Sequence, residues 1–415
     1  MQSALAQTIT ELAGIPRLPT SDGEREAAGL IRARFAGAGC RARVEDVPAY
    51  GSYAQPVGLL TAAAAAAGLL AGGAASRASG LRRALAAVVG AVATAGIVDD
   101  ITVGESVARR VLIPERTTTN VIAESGDPDA RRTLVVLVHH DAAPSGVVFN
   151  QSAERLLASA FPRLIESMRS NPPLWWPVIA GPALVCAGGL TGSRALRRAG
   201  TVLSAIATAA MTDIALRPPV PGANDNLSGV AAALEVARAL RDDPVRGLRV
   251  VFVSAGAEEA LQQGIRGFAR EHFWEFDTER TWFVTLDTVG SGRLVLLEGE
   301  GTVRMRDYGG PFKDLVADCA RAENITLLRG LRSRNSTDGC VPNHFGYPTA
   351  TLVSVDDHKL LPNYHLYSDV PENVDYSCVA DAARLTEAIA RRLAASVEPR
   401  FGRLLRGRTP VCQSD

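Results

Sequence analysis

Two histidines and three carboxylates stand out in this chain because each sits where a charge needs a partner: His139, Asp225, Glu259, Asp287 and His365. A further acid, Glu258, directly precedes the third of them. Two imidazoles and three carboxylates suffice to hold a pair of zinc ions, which accept nitrogen and oxygen donors alike. An adjacent glutamate that is not a ligand can serve as a base.

Each residue also has a plain structural reading, and the elements around it decide how far that reading goes. His139 closes the apolar run TLVVLVHHD at residues 133–141, which reads as a core strand of a parallel sheet. A histidine there can be an ordinary buried residue, but Asp141, two positions on, points to the same side of an extended chain and can orient the imidazole. Asp225 lies in PGANDNLSGVAAALEVARAL, a turn opening onto an amphipathic helix. One helix cap needs one polar side chain, and this segment offers Asn224, Asp225, Asn226 and Ser228. Glu258 and Glu259 follow the apolar run RVVFVSAGA; acids complement the first turn of a helix, yet the carboxyl end of a buried strand is also where open α/β sheets place their sites. Asp287 ends the run TWFVTL, where a carboxylate is costly without a cation. His365 belongs to LLPNYHLYSDVPENVD, a loop by its prolines and asparagines.

The order HHD, GANDNLSG, AEEA, LDTVG and YHLYSDVPENVD resembles the bizinc aminopeptidase family of metallopeptidases, relatives of the glutaminyl cyclases and glutamate carboxypeptidases. The similarity covers about 300 residues, including an opening helix and strand within the first fifty, where Ser21 and Glu24 form a capping box. The resemblance implies that His139 and Asp287 hold one zinc, Glu259 and His365 the other, and that Asp225 bridges the two. It further implies that Glu258 is the general base for a hydroxide bridging the metals, that Asp141 orients His139, and that the substrate is a peptide with a free amino terminus. Within NSTDGCVPNHFGYPTATL the sequence departs from the family: Gly339 replaces a usual histidine, Pro342 a common aromatic, and no tyrosine stands just before Asp338. These positions belong to the substrate side, so the departures bear on specificity; Arg334 and Asn335 are the candidates for the missing donor.

Composition sets the frame. The 415 residues are 47% hydrophobic, enough for a large core, and Lys plus Arg equals Asp plus Glu at 44 each, which gives no basic surface for nucleic acid. Only Lys313 and Lys359 among the basic residues are lysines, a bias that with the abundant alanine points to a GC-rich bacterial coding sequence. The six cysteines, Cys40, Cys186, Cys319, Cys340, Cys378 and Cys412, show no Cys-x-x-Cys spacing and thus no structural zinc ribbon or redox pair.

Four apolar runs, at residues 57–75, 84–98, 174–190 and 199–211, form two pairs joined by SRASGLRR and SRALRR. Each pair reads as a helical hairpin, and the second is an insertion into a loop between His139 and Asp225. By length the first and third runs come nearest to the roughly 20 residues that a membrane span needs. Trp175 and Trp176 suit an interface, and Arg77, Arg82, Arg83, Arg194, Arg197 and Arg198 mark the short turns as cytoplasmic.

The expectation is therefore one three-layer α/β/α peptidase domain over residues 1–415 with a mostly parallel central sheet, carrying inserted hairpins at 57–98 and 172–215. It places a two-zinc aminopeptidase in a bacterial cell membrane by several passes, in contact with lipid and with its catalytic domain outside. The alternatives are a glutaminyl-cyclase-like enzyme with one zinc and a non-catalytic membrane protein of the same fold.

Overall fold

The computed structural model describes residues 1–72 and 79–395. Arg77 and Cys412 lie outside the described residues, and the five cysteines within them are all free.

The chain opens with helices α1 (Gln2–Ala13) and α2 (Asp22–Gly37), strand β1 (Arg41–Ala49), and helices α3 (Ala54–Leu70), α4 (Ser79–Ile101) and α5 (Val107–Leu112). Strands β2 (Arg116–Gly126) and β3 (Thr133–His139) come next, then helices α6 (Ser152–Ala160), α7 (Pro162–Ser167), α8 (Trp175–Thr191), α9 (Arg194–Leu216) and α10 (Leu227–Asp242). After β4 (Arg249–Ala255), α11 (Gln263–His272), β5 (Thr281–Leu286) and β6 (Arg293–Leu296), the short strands β7 (Gly299–Glu300) and β8 (Arg306–Asp307) lead to α12 (Gly310–Ala322). The chain continues through β9 (Arg332–Ser333), α13 (Cys340–His344), β10 (Thr349–Val355) and α14 (Tyr376–Ala395).

Seven strands form the central sheet in the order β1-β2-β4-β3-β5-β10-β6. The inner pairs β3–β4, β3–β5 and β5–β10 are parallel, and β1, β2 and β6 join antiparallel at the edges. Both faces are covered, so β3 is buried at every position and its side chains divide between two cores. Leu134, Val136 and Val138 pack with the core under α10 and α14, while Val135 and Leu137 pack with Phe268 and Phe283 on the other face. This alternation fixes the register, because a shift of one residue would exchange the two sets. The architecture is the expected three layers.

The Ser21–Glu24 capping box forms only by half. Ser21 Oγ accepts from Glu24 N at 3.2 Å, but the Glu24 carboxylate turns inward to Thr118 Oγ1 and Ala257 N instead of returning to Ser21 N.

Helices α3, α4, α8 and α9 pack as a four-helix bundle on one end of the domain. The starts of α3 and α8 and the ends of α4 and α9 meet around Leu261 in one hydrophobic cluster, which seats the bundle on the α/β domain. The lengths differ from those of the apolar runs: α3 and α8 have 17 residues each, whereas α4 and α9 have 23 each. Arg82 and Arg83 are taken into α4, and α9 begins at Arg194 with Ser193 as its cap, because backbone hydrogen bonding continues through charged residues whose long stems reach outward. Two helices, α4 and α9, are long and apolar enough to cross a membrane, which permits a membrane association. Close backbone approach depends on glycine: a Cβ on Gly200 would stand 2.5 Å from Val185 N, and one on Gly90 would stand 2.6 Å from Cys186 N. Small residues at such crossings are typical of helix packing in lipid.

Candidate metal centre

The parallel strands deliver their carboxyl ends to one rim of the sheet, where ligands bind in open α/β folds. His139 is the last residue of β3, Glu258 and Glu259 sit in the turn that leaves β4, and Asp287 follows β5 directly. Asp225 lies in the turn entering α10, and His365 comes from the loop between β10 and α14. All six side chains are buried.

Asp225 holds the arrangement together. Its Oδ1 lies 3.3 Å from His139 Nε2 and its Oδ2 lies 3.3 Å from His365 Nε2. Around His139 Nε2, Asp287 Oδ2 and Glu258 Oε2 each stand at 4.0 Å. Around His365 Nε2, Glu259 Oε2 stands at 3.1 Å. The structure thus gathers Asp287 and Glu258 around His139 and Glu259 beside His365, and the two oxygens of Asp225 face one imidazole each.

The donor chemistry fits metal ions better than it fits hydrogen bonds. His365 Nε2 has no partner in hydrogen-bonding geometry although two carboxylate oxygens lie within 3.3 Å of it. Ligand atoms of His139, Asp225 and Glu259 all lie within 4.8 Å of one another. Burial opposes every charge here, and the imidazoles compensate unequally. Burial raises Glu258 well above the ordinary carboxylate range, Glu259 to about 7 and Asp287 to about 6, with His139 or His365 partly offsetting the effect. For Asp225 burial acts in the same direction, but the two histidines outweigh it and hold the group below its ordinary value. Several buried carboxylates crowded around two imidazoles ionise together only with additional positive charge.

A further layer of buried groups orders the ligands. Asp141 lies 3.4 Å from His139 Nδ1, but its two oxygens mainly receive Glu258 N at 3.0 Å and Glu259 N at 2.9 Å. It therefore shapes the turn carrying two acids as well as facing one histidine. Asp369 does the same for Asp225, accepting from Asn224 N at 2.8 Å and Asp225 N at 3.0 Å. The cap of α10 is Asn226, whose side chain accepts from Gly229 N, so Asp225 is free of that duty. Gln262 Nε2 donates to Glu258 Oε1 at 3.0 Å and to Ser336 O at 3.0 Å. Arg17, fully buried, donates to His140 O at 2.8 Å and to Pro221 O at 2.8 Å, tying the histidine strand to the aspartate turn.

None of Asp369, Gln262 and Arg17 was singled out by sequence reasoning. Asp369 stands inside the quoted loop motif four residues after His365, and a second acid so near a ligand was the available signal. Gln262 and Arg17 carry no such signal, because their partners lie up to 205 positions away in the chain.

A cavity of about 220 Å³ opens from Asp225, Glu258, Glu259 and Asp287. One wall is apolar, built from Val295, Leu297, Val353 and Val355, and the other comes from the segment leading to α8, including Ile165, Met168 and Leu174. Asn335 lines this cavity, whereas Arg334 lies with its guanidinium 5.6 Å over the Trp176 ring. Glu300 also lines it, with one oxygen accepting from Tyr308 Oη at 2.7 Å and Thr337 Oγ1 at 3.0 Å.

Comparison with known proteins agrees with this geometry. Residues 207–390 match the model of peptidase family M28, a span that contains Asp225, Glu258, Glu259, Asp287 and His365 but not His139. Members of that family are zinc-dependent metallopeptidases. A search of curated proteins by sequence finds no significant match. Among solved structures the fold is similar to an aminopeptidase from Aneurinibacillus sp. strain AM-1, at 16% identity and a TM-score of 0.55 over 95% of this chain and 94% of that one. It is also similar to a leucine aminopeptidase precursor of Bacteroides thetaiotaomicron, at 12% identity and a TM-score of 0.52 over 94% and 97% of the two chains. A glutaminyl cyclase of Bacteroides thetaiotaomicron shares the fold at 13% identity and a TM-score of 0.54, again over 94% and 97%. Over residues 207–390 the chain thus matches peptidase family M28, and its fold is similar to that of zinc-peptidase relatives that include aminopeptidases and a glutaminyl cyclase.

Proposed function

We propose that the protein is a membrane-bound aminopeptidase that removes amino-terminal residues from peptides with two zinc ions, His139 and Asp287 holding one, Glu259 and His365 the other, and Asp225 both. The observation that carries the reading is the division of Asp225, whose two oxygens face two different imidazoles at 3.3 Å each. A single-zinc cyclase has no use for the second set, so the complete ligand pair favours hydrolysis over acyl transfer. A non-catalytic scaffold has no use for a sixth buried acid.

Zinc ions in these places supply a polarised carbonyl and an attacking water of lowered pKa. Glu258 does the proton work. Its Oε1 is held by Gln262 and its other oxygen faces His139, which places the carboxylate to take a proton at the centre and later return it. The proton taken from water passes to the departing amine. Asp141 keeps Glu258 and Glu259 in register through their backbone N–H groups, so base and ligand move as one turn. Glu259 and Glu300 line the cavity and offer negative charge to a substrate ammonium.

The bundle supports membrane insertion. At about 1.5 Å per residue, α4 and α9, at 23 residues each, reach about 34 Å, enough for a bilayer core of about 30 Å. Their outer faces expose Leu85, Val88, Val92, Val202 and Ile206. Arg82, Arg83, Arg194 and Arg198 stand at the far turns and assign those turns to the cytoplasm, with the metal centre outside. The deciding experiment is metal content by elemental analysis together with hydrolysis of a panel of amino-acid anilides by the purified protein. Two zinc ions per chain and anilide hydrolysis are expected; one ion with cyclisation of amino-terminal glutamine would replace the reading.

A further inference from the structure

The turn carrying Glu258 and Glu259 is closed by its own bonds from Gln262 N to Glu258 O at 2.8 Å and from Gln263 N to Ala257 O at 2.9 Å, yet its backbone is strained. Ala257, Leu261 and Gln262 have φ values of 48°, 68° and 56°, a left-handed region that side chains with a Cβ disfavour. Three strained residues in one turn persist where the surroundings add to these internal bonds. On the inner side four successive N–H groups are taken: Gly256 N by Asn120 at 3.1 Å, Ala257 N by Glu24 at 2.7 Å, and those of Glu258 and Glu259 by Asp141.

The outer side is held by the bundle. Arg109 of α5 and Asp100 at the end of α4 are both buried and form a two-point pair, Nε to Oδ1 at 2.8 Å and Nη2 to Oδ2 at 2.9 Å. The remaining nitrogen, Nη1, donates to the carbonyl of Ala260, the residue directly after Glu259. A second tie runs the other way: Arg266 of α11 donates to the carbonyls of Thr102 and Gly104 and, at 3.3 Å, to Ser106 Oγ. A buried ion pair by itself adds little to stability, since desolvation offsets its attraction. A guanidinium that grips a carboxylate with two nitrogens and a carbonyl with a third does something that a hydrophobic pair or a lysine cannot.

We propose that Arg109 is a positioning residue for the reaction: through the Ala260 carbonyl it sets the place of Glu258 and Glu259, and through Asp100 it makes that place depend on how α4 is seated in the bundle. The helices inserted before β2 are then part of the active-site support as well as an anchor. This rests on the peptidase reading above for its activity arm, and for its metal arm only on zinc binding at the centre.

The test uses the full-length protein in detergent or nanodiscs with three chains: the parent, Arg109→Lys, and the double variant Asp100→Leu with Arg109→Met. The double variant removes both charges and leaves none uncompensated, which buried pairs tolerate. Measured are the thermal midpoint, zinc retained during dialysis against a chelator, and kcat and KM on an amino-acid anilide. Expected for the double variant are a folded protein, faster zinc loss, and a kcat lower by about 10²-fold, the effect of misplacing a catalytic group by about 1 Å, with a much smaller change in KM because the apolar wall of Val295, Leu297, Val353 and Val355 is untouched. Arg109→Lys should fall between. A folded double variant with parental zinc retention and parental kcat overturns the proposal. Should it fail to fold, Arg109→Lys decides alone, and parental values of both quantities in that variant overturn it as well. Should the parent hydrolyse no anilide, the peptidase reading fails, and the zinc-loss rates still decide the positioning claim.

Discussion

Tyr308 occupies the room that a side chain at position 339 would need. A Cβ on Gly339 would stand 3.1 Å from Tyr308 Oη, 2.8 Å from Thr285 Oγ1 and 2.5 Å from Thr351 Oγ1. The tyrosine is fixed there by its bond to Glu300 at 2.7 Å and by Thr351 Oγ1, which donates to it at 2.7 Å. The glycine found where the resembled family has a histidine is therefore matched by a packed hydroxyl network behind the cavity. Introducing the histidine, Gly339→His, should lower stability by about 1–3 kcal/mol, the usual cost of overfilling a packed site. Denaturant unfolding of the variant checks this, and parental stability would mean that the network is loose.

Asp225→Ala should release both metal ions, because the residue belongs to both ligand sets, whereas His139→Ala should weaken mainly one. Elemental analysis after dialysis distinguishes them. One tightly held ion in the Asp225 variant would show that the carboxylate does not bridge.

Glu258→Gln keeps the shape of the side chain and removes its basicity. Zinc content should stay at the parental level while turnover falls by about 10²–10⁴-fold, the range for a lost general base. Near-parental activity would place the base elsewhere.

The proposed membrane placement rests on the bundle. The protein should stay with the membrane fraction through a carbonate wash, and a reporter fused to the carboxyl terminus should read as outside the cytoplasm. Release by carbonate would remove the membrane reading, and a cytoplasmic signal would reverse only its orientation.

Stability should also depend on acid at a place remote from the metals. Burial pushes Glu298 up, but Arg329 and Lys313 outweigh it and bring the group to about 2 from an ordinary 4.5. A carboxylate with a lowered pKa stabilises the fold above its unfolded value, and the contribution disappears as pH falls from about 4.5 toward 2. Glu298→Gln should lose this part of the pH dependence, as thermal midpoints between neutral pH and pH 3 would reveal; an unchanged slope would assign the acid sensitivity to other groups.

What the sequence determined by itself was the chemistry and its order. An aspartate ending an apolar strand is costly without a cation, and that cost is local, so Asp287 could be picked out along the chain; His139 and the Glu258–Glu259 pair have ordinary readings singly and gained weight from Asp141 and from their common place at strand ends. The continuous apolar run of β3 and the turn before α10 are equally local. What only the tertiary structure decided was pairing at a distance. That Asp225 turns one oxygen to His139 and the other to His365 depends on three elements meeting, and that Asp369 supports it depends on a chain return of 144 residues. The spans of α3, α4, α8 and α9 also escaped the apolar runs, because a helix continues through arginine and aspartate wherever its backbone is bonded and its packing face is filled. Arg109 is the limiting case. In sequence it is one arginine in VARRVL; in space its three nitrogens join the bundle to the catalytic turn, because folding brings Ala260, 151 residues away, within reach of a guanidinium.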